Sequence, residues 1–241
     1  IAIGNGTASR ETESFISEII KEYKFDVKYV IVSEAGASVY SASELAQEEF
    51  PNLEVQERSA ISIARRLQDP LSELVKIEPK AIGVGQYQHD VTQSKLVDSL
   101  NDVVSEAVNK VGVDVNTASY SLLNYVSGLN KSIAINIIKY RDEVGKFENR
   151  NSLKKVPKLG NKTFEQAIGF LRVFDGNNIL DQTSIHPESY EVAKKVMSIL
   201  GINALGTDEV KEVVSKVDRQ KLVADLNVDK FLMEEYKRIY N

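Results

Sequence analysis

Two five-residue segments, Val126-Ser127-Gly128-Leu129-Asn130 and Val156-Pro157-Lys158-Leu159-Gly160, lie about thirty residues apart, each between two stretches of helical periodicity. No other feature limits the possible folds so tightly. A helix, a tight glycine-containing turn and a second helix leave the first N–H groups of the second helix without intrahelical partners. Those donors converge at the positive end of the helix dipole, a point that attracts phosphate oxygens. Two such turns predict a paired helix-hairpin-helix unit, suited to holding a nucleic-acid backbone without reading bases. Either turn alone is equally what an ordinary αα-hairpin requires.

Charge separates the two readings. The chain carries 30 Lys+Arg against 35 Asp+Glu and is acidic overall. Residues 128–172 reverse that balance, with ten basic and four acidic side chains, whereas residues 1–100, 101–127 and 173–241 are each net negative. The one locally positive stretch is therefore the one that contains both hairpins, as phosphate binding demands.

Composition removes other classes. With 241 residues and 42% hydrophobic content, the chain can bury a core and is expected to split into two or three units. No apolar run approaches the ~20 residues that span a bilayer, and no charged-then-apolar leader is seen. The expectation is a soluble, cytoplasmic chain. It has no Cys, which excludes disulfides and Cys-ligated zinc, and only His89 and His186, too few for a His-rich metal site. Ile1 opens directly on a strand pattern, so the chain is expected to begin inside a longer protein.

Residues 1–100 alternate between strand and helix. Ile1-Ala2-Ile3 is a short strand; Ser9 is placed to cap a helix carrying Phe15, Ile16, Ile19, Ile20 and Tyr23; Val27–Val32 is a β-branched strand. Helices are expected from Val39 to Glu49, stopped by Pro51, and from Ala60 to Ile77, broken or kinked at Pro70. This order implies parallel strands with covering helices, an α/β unit. From Lys95 onward no strand is predicted. Helices are expected over 96–111, 118–125, 133–141, briefly around Leu153, over 163–173, over 184–200 with Pro187 in the first turn, and over 208–217, 220–226 and 230–240.

Several longer strings resemble the Tex family of bacterial transcription accessory proteins. They are Gly4-Asn5-Gly6-Thr7-Ala8-Ser9-Arg10-Glu11, Ser33-Glu34-Ala35-Gly36-Ala37-Ser38-Val39-Tyr40-Ser41-Ala42, Ala64-Arg65-Arg66-Leu67-Gln68-Asp69-Pro70-Leu71 and Gly83-Val84-Gly85-Gln86-Tyr87-Gln88-His89-Asp90-Val91. The likeness continues through Asn116-Thr117-Ala118-Ser119, both hairpins, Phe164-Glu165-Gln166-Ala167 and Ile185-His186-Pro187-Glu188, and is nearly continuous to about Tyr190. It implies a mixed fold class: a partial α/β RNase H-like unit of the YqgF type over 1–100, an all-α tandem helix-hairpin-helix domain over 101–175 and a second small helical domain over 176–241. Family members also carry a helical N-terminal region and a terminal OB-fold RNA-binding domain, so a central fragment is expected. They are regarded as nucleic-acid binders associated with transcription, which makes RNA or DNA, and the transcription machinery, the expected partners.

An RNase H-like unit raises the alternative of a metal-dependent, structure-specific nuclease or resolvase. Such enzymes clamp two Mg²⁺ or Mn²⁺ ions about 3.5–4 Å apart between carboxylates. Glu34, directly after a strand, and Asp90, beside His89, are the weak candidates. The family's usual first carboxylate would lie before Ile1, so a complete set is not visible, and both residues are also natural helix caps. No catalytic residue, metal or other cofactor is therefore assigned. Gly4-Asn5-Gly6-Thr7 and Gly83-Val84-Gly85-Gln86 read as bends, and no loop ends in the Gly-Lys-Ser/Thr of an ATP-binding P-loop.

The expected nucleic-acid ligands are Gly128, Asn130, Lys131 and Ser132 of the first hairpin and Lys158, Gly160 and Lys162 of the second, with Lys154, Lys155 and Arg150 nearby. Asn130 stands where many such motifs carry a second Gly and is expected to tolerate left-handed backbone; Lys158 stands in place of the first. Tyr120 and Tyr125 are placed either to stack on bases or to pack in the core. A third possibility is a protein-interaction scaffold whose hairpins are purely structural.

Overall fold

The computed structural model describes residues 1–202, and the helices expected over 208–217, 220–226 and 230–240 lie outside that range. The chain divides into two compact units, Ile1–Val104 and Ser105–Asn241.

The first unit opens on two parallel strands, β1 (Ala2–Gly4) and β2 (Val30–Val32), with Ala2 opposite Val30 and Gly4 opposite Val32. Parallel neighbours need a crossover, which α1 (Ser9–Tyr23) supplies. Ser9 is the first helical residue rather than the cap, and β2 covers only the second half of the β-branched run. The helix expected over 39–49 is two helices, α2 (Ala37–Ser41) and α3 (Glu44–Glu49), because the Ser43 hydroxyl accepts from the Ala46 amide at 3.2 Å and starts a new one. α4 (Val55–Gln68) starts ahead of Ala60 because Glu54 and Glu57 form a capping box. At Pro70 the helix breaks rather than kinks: α4 ends at Gln68, and Pro70 is the first residue of α5 (Pro70–Leu74), capped by Asp69. Buried Arg66 of α4 donates to the carbonyls of Ser33 and Ala35 at 2.8 and 2.9 Å, fixing the chain just past β2.

The second unit takes the C-terminal part of α6 (Gln93–Val111), then β3 (Val113–Asp114), α7 (Tyr120–Leu123), α8 (Lys131–Val144), a 3-10 segment Arg150–Lys155, α9 (Asn161–Ile168), β4 (Leu171–Arg172) and α10 (Tyr190–Leu200). β3 and β4 pair in parallel, Val113 opposite Leu171, contrary to the expectation of no strand beyond Lys95. The helix expected over 163–173 stops at Ile168 and its last residues become β4. Two-residue strands are too short to leave a period in the sequence.

The hairpins are equivalent position by position at an offset of thirty. Ser119 and Asn149 cap their first helical turns through the amides of Leu122 and Ser152. Leu123 and Leu153 are wholly buried, as are Val126 and Val156 nearly so; each such leucine contributes about 1.5–3 kcal/mol. The core of the second unit thus holds both turns from beneath and leaves their tips outside.

Candidate nucleic-acid interface

Each hairpin closes with a β-turn whose last amide returns to the first carbonyl, Leu129 to Val126 at 3.0 Å and Leu159 to Val156 at 3.2 Å. The third residue of each turn is left-handed, Gly128 at φ 88° and Lys158 at φ 67°. Ser127 is not at positive φ, and Pro157 is confined to negative φ, so both turns are type II. Asn130 does not carry the left-handed conformation expected of it. At φ −126° it is extended and caps α8, its side-chain oxygen accepting from the Ile133 amide at 3.0 Å. Gly128 also lets α9 approach: a Cβ there would lie 2.9 Å from that of Gln166. Gly128→Ala is therefore expected to destabilise the second unit by about 2 kcal/mol, from left-handed strain and this collision together. Denaturant unfolding midpoints check it.

Gly160 differs in kind. It is extended at φ −71°, caps α9 without a side chain, and nothing lies within 4 Å of a Cβ built on it. Among the described residues, the amides of Asn161, Lys162 and Thr163 have no hydrogen-bond partner. In the first hairpin the amides of Asn130, Lys131 and Ser132 are likewise unpartnered, while that of Ile133 goes to Asn130. Gly128, Asn130, Lys131, Ser132, Lys158, Gly160 and Lys162 are all exposed. Two clusters of open main-chain donors result.

Lys131, Lys154, Lys155, Lys158 and Lys162 are exposed, and among the described residues none pairs with a carboxylate. Lys131 stands 5.7 Å over the Tyr120 ring and Lys154 4.8 Å over the Phe164 ring. Tyr120 and Tyr125 are half-buried.

Arg150 is a correction. Expected beside these lysines, it is 1% exposed and bonded throughout the interior. Its Nε donates to the Leu171 carbonyl at 2.8 Å, Nη1 to the Ile185 carbonyl and the Tyr190 hydroxyl at 2.6 Å each, and Nη2 to the Thr183 carbonyl at 2.5 Å. Its amide donates to Asp181, which also accepts from the Tyr190 hydroxyl at 2.6 Å. Burial pushes the Tyr190 hydroxyl well above its ordinary range, against the opposing pull of the Arg150 charge. Burial, and then the same charge, lower the neighbouring Arg172 guanidinium to about 10. With its donors so engaged, Arg150 organises the floor of the second hairpin and cannot reach phosphate.

In the first unit, Glu34 follows β2, and its carboxylate fills the space where a Cβ on Gly4 or Gly6 would sit. Those two glycines make room for Glu34 rather than supply left-handed backbone. A cavity of about 250 Å³ is lined by Glu34, Thr7, Ser9 and Thr12. Asp90 lies in an exposed turn, its amide donating to Tyr87. Among the described residues, no three His, Asp or Glu side chains converge as a metal site would require.

The sequence left unread the partners that set the turns: Gln166, packed on Gly128, and Asn136, whose Nδ2 donates to the Pro157 carbonyl at 2.9 Å. The two residues are themselves thirty positions apart, and that offset was the available signal.

Paired turns of this geometry define a tandem helix-hairpin-helix protein with an α/β unit ahead of it. The helix-hairpin-helix motif model matches residues 108–172, a further HHH domain model residues 178–237, and the Tex protein YqgF-like domain model residues 1–68. The chain belongs to the Tex family. It is 60% identical over 205 residues to the transcriptional accessory protein Tex of Neisseria gonorrhoeae, covering 85% of this chain and 27% of that one. An uncharacterized protein, YdcI, of Bacillus subtilis (strain 168) is 56% identical over 237 residues, 98% of this chain and 33% of its own. S1 RNA-binding domain-containing protein 1 of Homo sapiens is 42% identical over 268 residues, 89% of this chain and 27% of its own. The chain thus spans between a quarter and a third of the length of these relatives.

Proposed function

We propose that this chain is a sequence-independent nucleic-acid-binding segment of a transcription accessory protein, gripping sugar-phosphate backbone through its two hairpin turns. The observation that carries the reading is the coincidence of unpartnered, exposed amides at the starts of α8 and α9 with the one net-positive stretch of the chain. Lys131, Lys158 and Lys162 flank those amides and pair with phosphate as mobile point charges, with Lys154 and Lys155 extending the field. Contacts of this kind go to sugar and phosphate, so binding depends on charge and not on base order. Association with the transcription machinery rests on family membership.

A gel-shift titration across salt tests this. If about four phosphates are neutralised, log affinity falls with log salt at a slope near −3 to −4, with little change on scrambling the sequence. A flat salt dependence would remove the reading. Gly160→Ala separates ligand contact from folding: with open space around the new methyl group, stability changes by no more than about 1 kcal/mol, while a backbone pressed against Gly160 is held off and affinity drops.

A further inference from the structure

We propose that Asn136 is the positioning residue of the second turn: its carboxamide holds the Pro157–Lys158 peptide in the one orientation that aims a donor outward. The inference rests on the nucleic-acid reading above and names what keeps that site in shape. The Pro157 carbonyl, bonded by Asn136 Nδ2 at 2.9 Å, belongs to the central peptide of the turn. Rotating that peptide by half a revolution converts type II into type I and moves the third residue from positive φ to about −90°. Glycine adopts the first form freely, so the turn at Gly128 needs no outside support. Lysine disfavours it because its Cβ crowds the backbone. Lys158 nevertheless sits at φ 67°, and among the described residues the Asn136 bond is the only one made to this peptide's carbonyl.

The peptide is trans, so its N–H points opposite to its C=O. With the carbonyl drawn toward α8, the Lys158 amide faces away from that helix and has no partner among the described residues. In the rotated form a carbonyl oxygen replaces that donor, and its partial negative charge repels a phosphate. Asn136 therefore does for Lys158 what the absence of a side chain does for Gly128.

A double-mutant cycle in the 241-residue chain tests this with wild type, Asn136→Ala, Lys158→Gly and the double variant. Each is titrated at fixed salt against a short labelled RNA of mixed sequence and against the matching DNA duplex. Asn136→Ala is expected to weaken binding roughly tenfold beside Lys158, since the competent turn becomes the minor form, and by less than about twofold beside Gly at 158. An equal loss in both backgrounds overturns the proposal and makes Asn136 a general stabiliser; no loss in either overturns it too. Unchanged binding after joint reversal of Lys131, Lys158 and Lys162 to Glu would instead overturn the nucleic-acid reading, whatever Asn136 does. Thermal unfolding verifies each variant, and Asn136→Leu, which preserves volume, replaces the alanine variant should that one unfold.

Discussion

Joint replacement of Lys131, Lys158 and Lys162 by glutamate is expected to abolish tight nucleic-acid binding while leaving the fold intact. Three neutralised phosphates account for about 2.7 log units of affinity between ~1 M and ~0.1 M salt, so the loss at the lower salt is roughly hundredfold or more. The salt slope should shrink by about three in the same experiment. Stability is little at risk. All three side chains are exposed, none is paired with a carboxylate among the described residues, and only Lys131 has a ring contact, with Tyr120. Such an exposed cation–π contact contributes about 0.5–1 kcal/mol. Undiminished affinity in a folded triple variant would leave the hairpins purely structural, as a protein-interaction scaffold requires.

Arg150→Met has the opposite signature. Removing the guanidinium strands the carbonyls of Thr183 and Ile185, leaves that of Leu171 to Arg172 Nη1 alone and takes one partner from the Tyr190 hydroxyl. Deleting one member of a buried charged network costs about 3–5 kcal/mol, which lowers the unfolding temperature by on the order of 10 °C. Lysine should not rescue it, because a single ammonium cannot span four acceptors that the planar fork reaches together. Affinity measured below the new midpoint should stay near wild type, since this residue lies under the turns and not on them. A variant that unfolds like wild type would mean that the stranded carbonyls find other donors; one that stays folded but loses binding would return Arg150 to the phosphate surface.

The hairpins were legible because three local signals coincided: turn residues, flanking helical spacing and an island of positive charge. Fold class followed from the same reading and from family resemblance. What escaped depended on contacts between segments far apart in the chain. Nothing local distinguishes Arg150 from the lysines that follow it, yet at the thirty-residue offset it stands opposite half-buried Tyr120, which marks an inward position. Val113–Asp114 and Leu171–Arg172 are too short to announce themselves as strands and form because each is the other's partner. Asn130 was read from its tolerance of left-handed backbone, whereas its capping ability decided its place. The exit of β2 was legible as the location of Glu34, but the role of Gly4 and Gly6 in lodging that carboxylate depends on contacts across about thirty residues of chain that leave no local pattern.

The glycines of the two turns have parted company. The first hairpin has its glycine at the bend and Asn130 at the helix entrance; the second has the reverse, with Lys158 at the bend and Gly160 at the entrance. Their tasks diverge accordingly. One half is a self-sealed anvil that locks against its neighbour, and the other is an unsealed mouth whose three open amides sit one residue further into the helix. Severing the pair would deprive each half of what its twin alone retains.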